Sequence, residues 1–282
     1  MTFTTRFAPS PTGPLHLGHA YSAMLAHDLA RAAGGRFLLR IEDIDQTRAR
    51  PAWEAQIYDD LAWLGLTWEQ PVMRQSDRQT TYDLALDELW ARGLLYPCTC
   101  TRADIAAAAS APQEGAPLLG PDGLIYPGTC RPTVAPTDAR PRNLALRLDM
   151  AKACAILPET LRFHEDSCGE EVSFTATDLT RDVGDIVLAR RDMGTSYHLS
   201  VVLDDAAQGI TDVVRGKDLF DATRIHVVLQ MLFDAPRPRY HHHRLIRDAA
   251  GKRLAKRNDA RAISLYRSEG ATPQDIRAKV GL

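Results

Sequence analysis

Two imidazoles three residues apart, His16 and His19, sit where a turn rich in proline and glycine (Pro9, Pro11, Gly13, Pro14) gives way to a periodic run. A helix start already offers unpaired backbone N–H groups and the positive end of the macrodipole to an anion. Histidines placed there, with Gly18 between them leaving room for close approach, can donate hydrogen bonds to a triphosphate during in-line displacement. Paired histidines also cap and pack helices, so the pair alone leaves both uses open. The sequence has no GxxxxGK stretch, which excludes a P-loop as the phosphate cradle.

Other residues with chemical capacity are spread along the chain. Glu42, Asp43 and Asp45 follow directly on an apolar run, so Glu42 emerges at the carboxyl edge of the expected sheet, where a carboxylate suits a ligand ammonium. Asp43 and Asp45 read equally well as caps of the next helix. Arg6 and Arg215 are guanidinium groups that can hold a carboxylate through charge-assisted, often bidentate bonds; in isolation each also reads as a surface ion-pair partner. Residues 236–261 carry nine Lys or Arg against two Asp, a basic segment that suits phosphates or a solvated face. Within it, residues 251–257 (Gly-Lys-Arg-Leu-Ala-Lys-Arg) can place cations on charge that develops as pyrophosphate leaves. Three adjacent histidines, His241 to His243, do not predict a metal, because alternation along a strand puts His242 opposite the other two.

Cys98, Cys100 and Cys130, with Tyr126, offer three thiols and a phenol. Their spacing leaves a metal site and reduced structural thiols both open, since tetrahedral zinc usually takes four N or S ligands. Cys154 and Cys168 lack such partners and read as ordinary thiols.

The elements that must position these groups follow from periodicity. Residues 2–7 read as a strand, 18–33 as a helix closed by Gly34 and Gly35, and 36–41 as a second strand, together a βαβ unit of a parallel sheet. Two amphipathic helices follow, one with Ile57, Leu61 and Leu64 on a face and one with Tyr82, Leu86 and Leu89 before Gly93. Residues 96–149 lose the pattern, with alanines at 106–109 and a Pro- and Gly-rich loop over 115–123, as an insertion would. Residues 185–190 and 200–203 are apolar enough for buried strands, and 223–232 for a helix. No solenoid repeat occurs.

Bulk properties narrow the class. The chain has 282 residues, 45% hydrophobic and 25% charged, with a formal net charge of −2, values typical of a globular protein with a sizeable core. Five scattered cysteines do not make a disulfide framework, and a reducing compartment is expected. No apolar run is long enough to span a membrane and no secretory signal opens the chain, so the cytoplasm is the expected location.

His16-Leu17-Gly18-His19 resembles the HIGH signature of class I aminoacyl-tRNA synthetases, and Arg6-Phe7-Ala8-Pro9-Ser10-Pro11-Thr12-Gly13 resembles their glutamyl and glutaminyl branch. Residues 40–48, 196–205 and 212–219 are similar to segments of the glutamyl enzymes, and residues 251–257 resemble their mobile KMSKS loop. The resemblance implies that His16, Gly18, His19, Arg253 and Lys256 bind Mg-ATP, with His16, His19 and Lys256 acting on the phosphates. It implies a glutamate site of Arg6, Ala8, Ser10, Glu42, Tyr197 and Arg215, with Glu42 on the α-amino group and Arg6, Tyr197 and Arg215 on the side-chain carboxylate. Two residues depart from the loop pattern: Arg253 stands where a lysine is usual and Ala255 where a serine is, and the lost hydroxyl is expected to slow activation. The cysteine cluster is similar to the zinc knot of short glutamyl relatives, which implies a structural zinc on Cys98, Cys100, Tyr126 and Cys130.

The expected fold is therefore α/β, a Rossmann-like parallel sheet split by a zinc-type, acceptor-stem-like insertion. Residues 1–95 would form its first half, 96–175 the insertion, 176–240 the second half, and 241–282 the basic loop and a short helical tail. The resemblance runs over residues 4–260, whereas a full glutamyl-tRNA synthetase continues into a helical anticodon-binding region, for which residues 261–282 are too few. Short family members of that kind attach glutamate to the queuosine base at the wobble position of tRNA(Asp). The resemblance thus implies a monomeric enzyme acting on L-glutamate, ATP and queuosine-containing tRNA(Asp), away from membranes. Two alternatives stand beside it: a truncated synthetase charging the 3′ end of tRNA(Glu), and a non-catalytic tRNA-binding paralogue, whose only support is the altered basic loop.

Overall fold

The computed structural model describes residues 2–109, 119–247 and 261–282. The first stretch alternates strand and helix: β1 (Thr4–Phe7), α1 (Leu17–Ala32), β2 (Arg36–Ile41), α2 (Pro51–Trp63), β3 (Glu69–Arg74) and α3 (Gln79–Ala91). β1 and β3 both run parallel to β2. α1 buries a row of small residues, Ala20, Ala23, Ala26 and Ala30, beside Tyr21 and Met24. It stops at Gly34, whose φ of 59° is the left-handed conformation that favours glycine after a helix end.

A second group of elements follows: β4 (Leu95–Cys98), α4 (Arg102–Ala109), the short pair β5 (Leu119–Gly120) and β6 (Gly123–Leu124), and β7 (Ala145–Leu148). After α5 (Met150–Ala155) come the hairpin β8 (Thr160–Glu165) and β9 (Glu170–Thr175), then α6 (Ala176–Asp182) and β10 (Val187–Ala189). β7 pairs antiparallel with β4 on one side and β10 on the other.

The parallel sheet resumes with α7 (Tyr197–Ala207), β11 (Asp212–Gly216), α8 (Thr223–Leu232) and β12 (Arg239–His243). β12 runs parallel to β11 and also meets β8. β11 lies beside β1, where the Thr211 N–H donates to the Thr4 carbonyl at 2.9 Å. The parallel strands thus lie in the order β3, β2, β1, β11, β12, β8, as two hydrogen-bonded sheets that meet at the β1–β11 seam and wind outward from it in opposite directions. Such a reversal leaves a crevice at the carboxyl ends of the strands. α9 (Ile263–Ser268) and α10 (Pro273–Val280) follow, and Arg277 ties α10 to Asp28 of α1 at 2.7 Å.

The side chains expected on the two amphipathic faces are buried, with Ile57 and Leu61 in one core cluster and Tyr82, Leu86 and Leu89 in another. One expected strand is corrected: residues 200–203 lie inside helix α7. Ser196 caps this helix by accepting from the Leu199 N–H, and Leu199, Val201 and Val202 are all buried, so a short apolar run is as natural in a fully covered helix as in a strand. The strand expected over residues 185–190 exists as β10, but it joins the antiparallel sheet of β4 and β7 and not the parallel one. No helix among the described residues is long and apolar enough to cross a membrane.

Candidate active site and metal centre

A cavity of ≈ 350 Å³ opens at the β1–β11 seam, lined by Arg6, Ala8, His16, Gly18, His19, Glu42, Tyr197 and Arg215. β1 supplies Arg6, the end of β2 leads to Glu42, α7 opens with Tyr197 and β11 carries Arg215. Residues as far apart in sequence as Arg6 and Arg215 are therefore brought to one concave surface. Ser10 borders an adjoining smaller cavity, which shares Glu42 and Tyr197 as walls.

His16 is the N-cap of α1, and the helix start fixes both imidazoles. The Gly18 N–H donates to His16 Nδ1 at 3.1 Å, and the His16 N–H donates to His19 Nδ1 at 3.2 Å. The rings stack with centroids 3.8 Å apart. Because each Nδ1 accepts from a backbone amide, the neutral ring carries its proton on Nε2, a donor suited to phosphate oxygen. The cap engages Nδ1 of each ring, so capping and anion binding through Nε2 are compatible. A Cβ at Gly18 would meet His16 Cε1 at 3.0 Å and Nδ1 at 3.1 Å, tight enough that the ring would have to give way slightly.

Arg6 clasps Asp205 of α7 with Nε and Nη2 at 2.9 and 3.1 Å. Arg40, fully buried, joins the same carboxylate at 2.7 Å and reaches Glu42 at 3.2 Å. Burial pushes the Asp205 carboxyl up, but Arg6 and Arg40 outweigh it and hold it below the usual carboxylate range. At Glu42 burial wins over Arg40 and Arg6, and the carboxyl is raised. Arg6 spends two of its five N–H donors on Asp205, which leaves three for another acceptor.

Arg215 is only 6% exposed, yet its protein partners are neutral. It donates to His242 Nε2 at 3.1 Å, His226 Nδ1 at 3.0 Å, the Leu219 carbonyl at 3.2 Å and Thr223 Oγ1 at 2.7 Å. No carboxylate hydrogen-bonds to it among the described residues. A buried guanidinium without an anion is costly, and the cavity it lines is where an anionic ligand group would relieve that cost.

Arg253 and Lys256 lie outside the described residues. Both flanks of that segment reach the site: Leu245 and Ile246 line the cavity, and Ala262 forms an antiparallel bridge with His16.

Away from the cavity, the Sγ atoms of Cys98, Cys100 and Cys130 lie within 4.8 Å of one another, the one such group of three metal-ligating side chains among the described residues. The Tyr126 hydroxyl stands 3.5 Å from Cys98 Sγ and 3.4 Å from Cys100 Sγ. Tetrahedral zinc, with Zn–S near 2.3 Å, sets its sulfurs roughly 3.8 Å apart, so the donor set fits such an ion. Burial pushes the Cys130 thiol up, but hydrogen bonds from Tyr126 and Thr99 outweigh it and bring it down to about 6. Arg147 donates to Cys98 Sγ at 3.3 Å and stacks on the Tyr126 ring at 3.8 Å, a cation placed beside the negative charge that thiolates would carry. The cluster can bind a metal.

The family described as tRNA synthetases class I (E and Q), catalytic domain, matches residues 2–282. The chain belongs to this family. Among its class I (E and Q) synthetase relatives is a protein named glutamyl-Q tRNA(Asp) synthetase from Rhodobacter capsulatus, 64% identical over 99% of both chains. A protein of the same name from Deinococcus radiodurans is 43% identical over 99% of this chain and 88% of its own length. The crystal structure of a glutamate tRNA ligase from Elizabethkingia meningosepticum, in complex with its amino acid, superposes with a TM-score of 0.77 at 25% identity. It covers all of this chain, which spans 61% of that ligase.

Within this synthetase fold, five side chains behind the cavity were not singled out from sequence: Arg40, Asp205, His226, His242 in its role toward Arg215, and Glu165. Arg40 and Glu42 alternate on one strand face, a signal that a period-2 reading of residues 36–42 contains. The others pair across the fold, as Arg6 and Asp205 do over 199 residues, and leave no local trace.

Proposed function

We propose that this protein activates L-glutamate with Mg-ATP to glutamyl-adenylate and transfers the glutamyl group to the queuosine base at the wobble position of tRNA(Asp). The observation that carries the glutamate half is Arg215, a buried cation with neutral protein partners on the wall of a cavity that also holds Glu42. Glu42 takes the α-ammonium, and Arg6, Tyr197 and Arg215 take the side-chain carboxylate, whose charge glutamine lacks. Ala8 and Ser10 border the amino-acid end. An oxygen of the α-carboxylate attacks the α-phosphorus of ATP, the bond to the bridging oxygen breaks, and pyrophosphate leaves. This step needs positioning and charge stabilisation more than a base. His16 and His19 supply Nε2–H donors at the head of α1 with Gly18 beneath them, and Arg253 and Lys256 complete the phosphate side.

In the second step a hydroxyl of the acceptor attacks the carbonyl carbon of the mixed anhydride and AMP leaves. The names carried by the relatives from R. capsulatus and D. radiodurans support the queuosine acceptor. Zinc on Cys98, Cys100, Tyr126 and Cys130 would act as a structural ion that shapes the segment around β4 and β7. The protein works as a monomer in the cytoplasm, where ATP and tRNA are found. Transfer of labelled glutamate to tRNA(Asp) with and without queuosine, followed by nuclease digestion, tests the acceptor. Label confined to the modified wobble nucleotide is the expected result, and label on the 3′ adenosine of tRNA(Glu) would replace this proposal with a truncated synthetase.

A further inference from the structure

Four of the five N–H donors of Arg215 are committed inside the protein, two of them to imidazole nitrogens. A guanidinium only donates, so each nitrogen that faces it must accept. His242 therefore carries its proton on Nδ1, and His226 carries its own on Nε2. Each of these protons has a receiver. His242 Nδ1 meets the Glu165 carboxylate, and His226 Nε2 meets His198 Nδ1 at 3.1 Å. His198, accepting on Nδ1, turns its Nε2 toward Asp122 Oδ1 at 3.5 Å. Two arms thus converge on one guanidinium, each ending in a carboxylate.

The neutral state of the rings this requires has a physical basis. Burial and then the Arg215 charge drive His226 well below the usual histidine range, and the same two causes bring His242 down to about 4. Both carboxylates come from the stretch between α3 and α6: Glu165 ends β8 and Asp122 sits in the turn joining β5 and β6.

We propose that Glu165, through His242, and Asp122, through His198 and His226, are positioning residues that fix the direction in which Arg215 presents itself to the ligand, and so set the preference for a carboxylate over its amide. This rests on the glutamate site proposed above. The segment inserted between the halves of the parallel sheet thereby reaches into amino-acid selection.

Glu165→Gln tests the first arm with almost no change of shape. Glu165 Oε1 accepts from the Ser167 N–H at 3.1 Å, the Ser167 hydroxyl at 2.6 Å and the His242 N–H at 3.0 Å. A glutamine must put its carbonyl oxygen there, which turns its NH2 toward His242 Nδ1. That nitrogen then accepts, the ring proton moves to Nε2, and two N–H groups oppose each other at Arg215. The expected result is a rise of about tenfold or more in KM for glutamate, with kcat at saturation and KM for ATP little changed, and a comparable loss of discrimination against glutamine. Nitrogen-15 NMR of the His242 ring should show Nδ1–H in the wild type and Nε2–H in the variant. Asp122→Asn, on the more exposed arm, should give the same KM shift at smaller size. Unchanged KM and discrimination in both variants, or an unchanged His242 tautomer in Glu165→Gln, overturns the proposal. A wild-type protein without glutamate-dependent exchange instead overturns the function on which it rests, and the tautomer measurement still decides whether the relay exists.

Discussion

In the proposed site, Arg215 and Glu42 would divide the recognition of a zwitterion with an extra acid between them. The guanidinium is buried among neutral acceptors and gains most from a ligand anion, while the carboxylate already leans on Arg40 at 3.2 Å. A pH effect follows from the raised Glu42 carboxyl. A raised carboxyl takes up its proton at higher pH than an ordinary glutamate, and the neutral form no longer attracts an ammonium. KM for glutamate should therefore climb on acidification while the pH is still above the ordinary range of about 4.3, and Glu42→Gln should have a high KM with this limb flattened. Kinetics of adenylate formation across pH check it, and a flat wild-type profile above that range would remove Glu42 from the ammonium contact. These residues could be singled out from sequence because each lies in a compact motif, and the structure brings them to one cavity. Their support could not be singled out: Asp205 and Glu165 act across 199 and 77 residues, and pairing at that distance is decided by strand order.

At the level of elements, the proposed phosphate site is built on a capping motif: the backbone N–H groups at the start of α1 engage Nδ1 of both rings, so in the neutral ring the proton sits on Nε2. Gly18→Ala would push a methyl onto the His16 ring at 3.0 Å, so the ring must move or the cap must open. Adenylate formation should fall by roughly tenfold or more, in line with loss of one preorganised donor, while the melting temperature changes little. Unchanged exchange kinetics would show that the ring geometry does not matter. For the cysteine cluster, one equivalent of zinc is expected by metal analysis. Cys130→Ser or a strong chelator should remove it and lower the melting temperature, and a metal-free wild type with full stability would leave the thiols as plain structural groups. The βαβ unit was readable from alternation and turn residues. Residues 200–203 were not, since a short apolar run fits a covered helix and a covered strand alike, and only the Ser196 cap marks α7 as a helix.

In the whole molecule, the cavity exists because the strand order reverses between β1 and β11, which leaves the helix start of α1 and the end of β11 facing one crevice. The family resemblance anticipated a split parallel sheet. It did not foresee that β10 pairs with β7 outside that sheet, nor that β8 meets β12 and brings Glu165 behind Arg215. Glutamate-dependent ATP–pyrophosphate exchange without tRNA tests the central claim most directly, run with wild type and Arg215→Gln. Exchange with glutamate and not with glutamine, reduced by about tenfold or more in the variant, is the predicted result. Exchange that is absent, equal for glutamine, or indifferent to the substitution would contradict it.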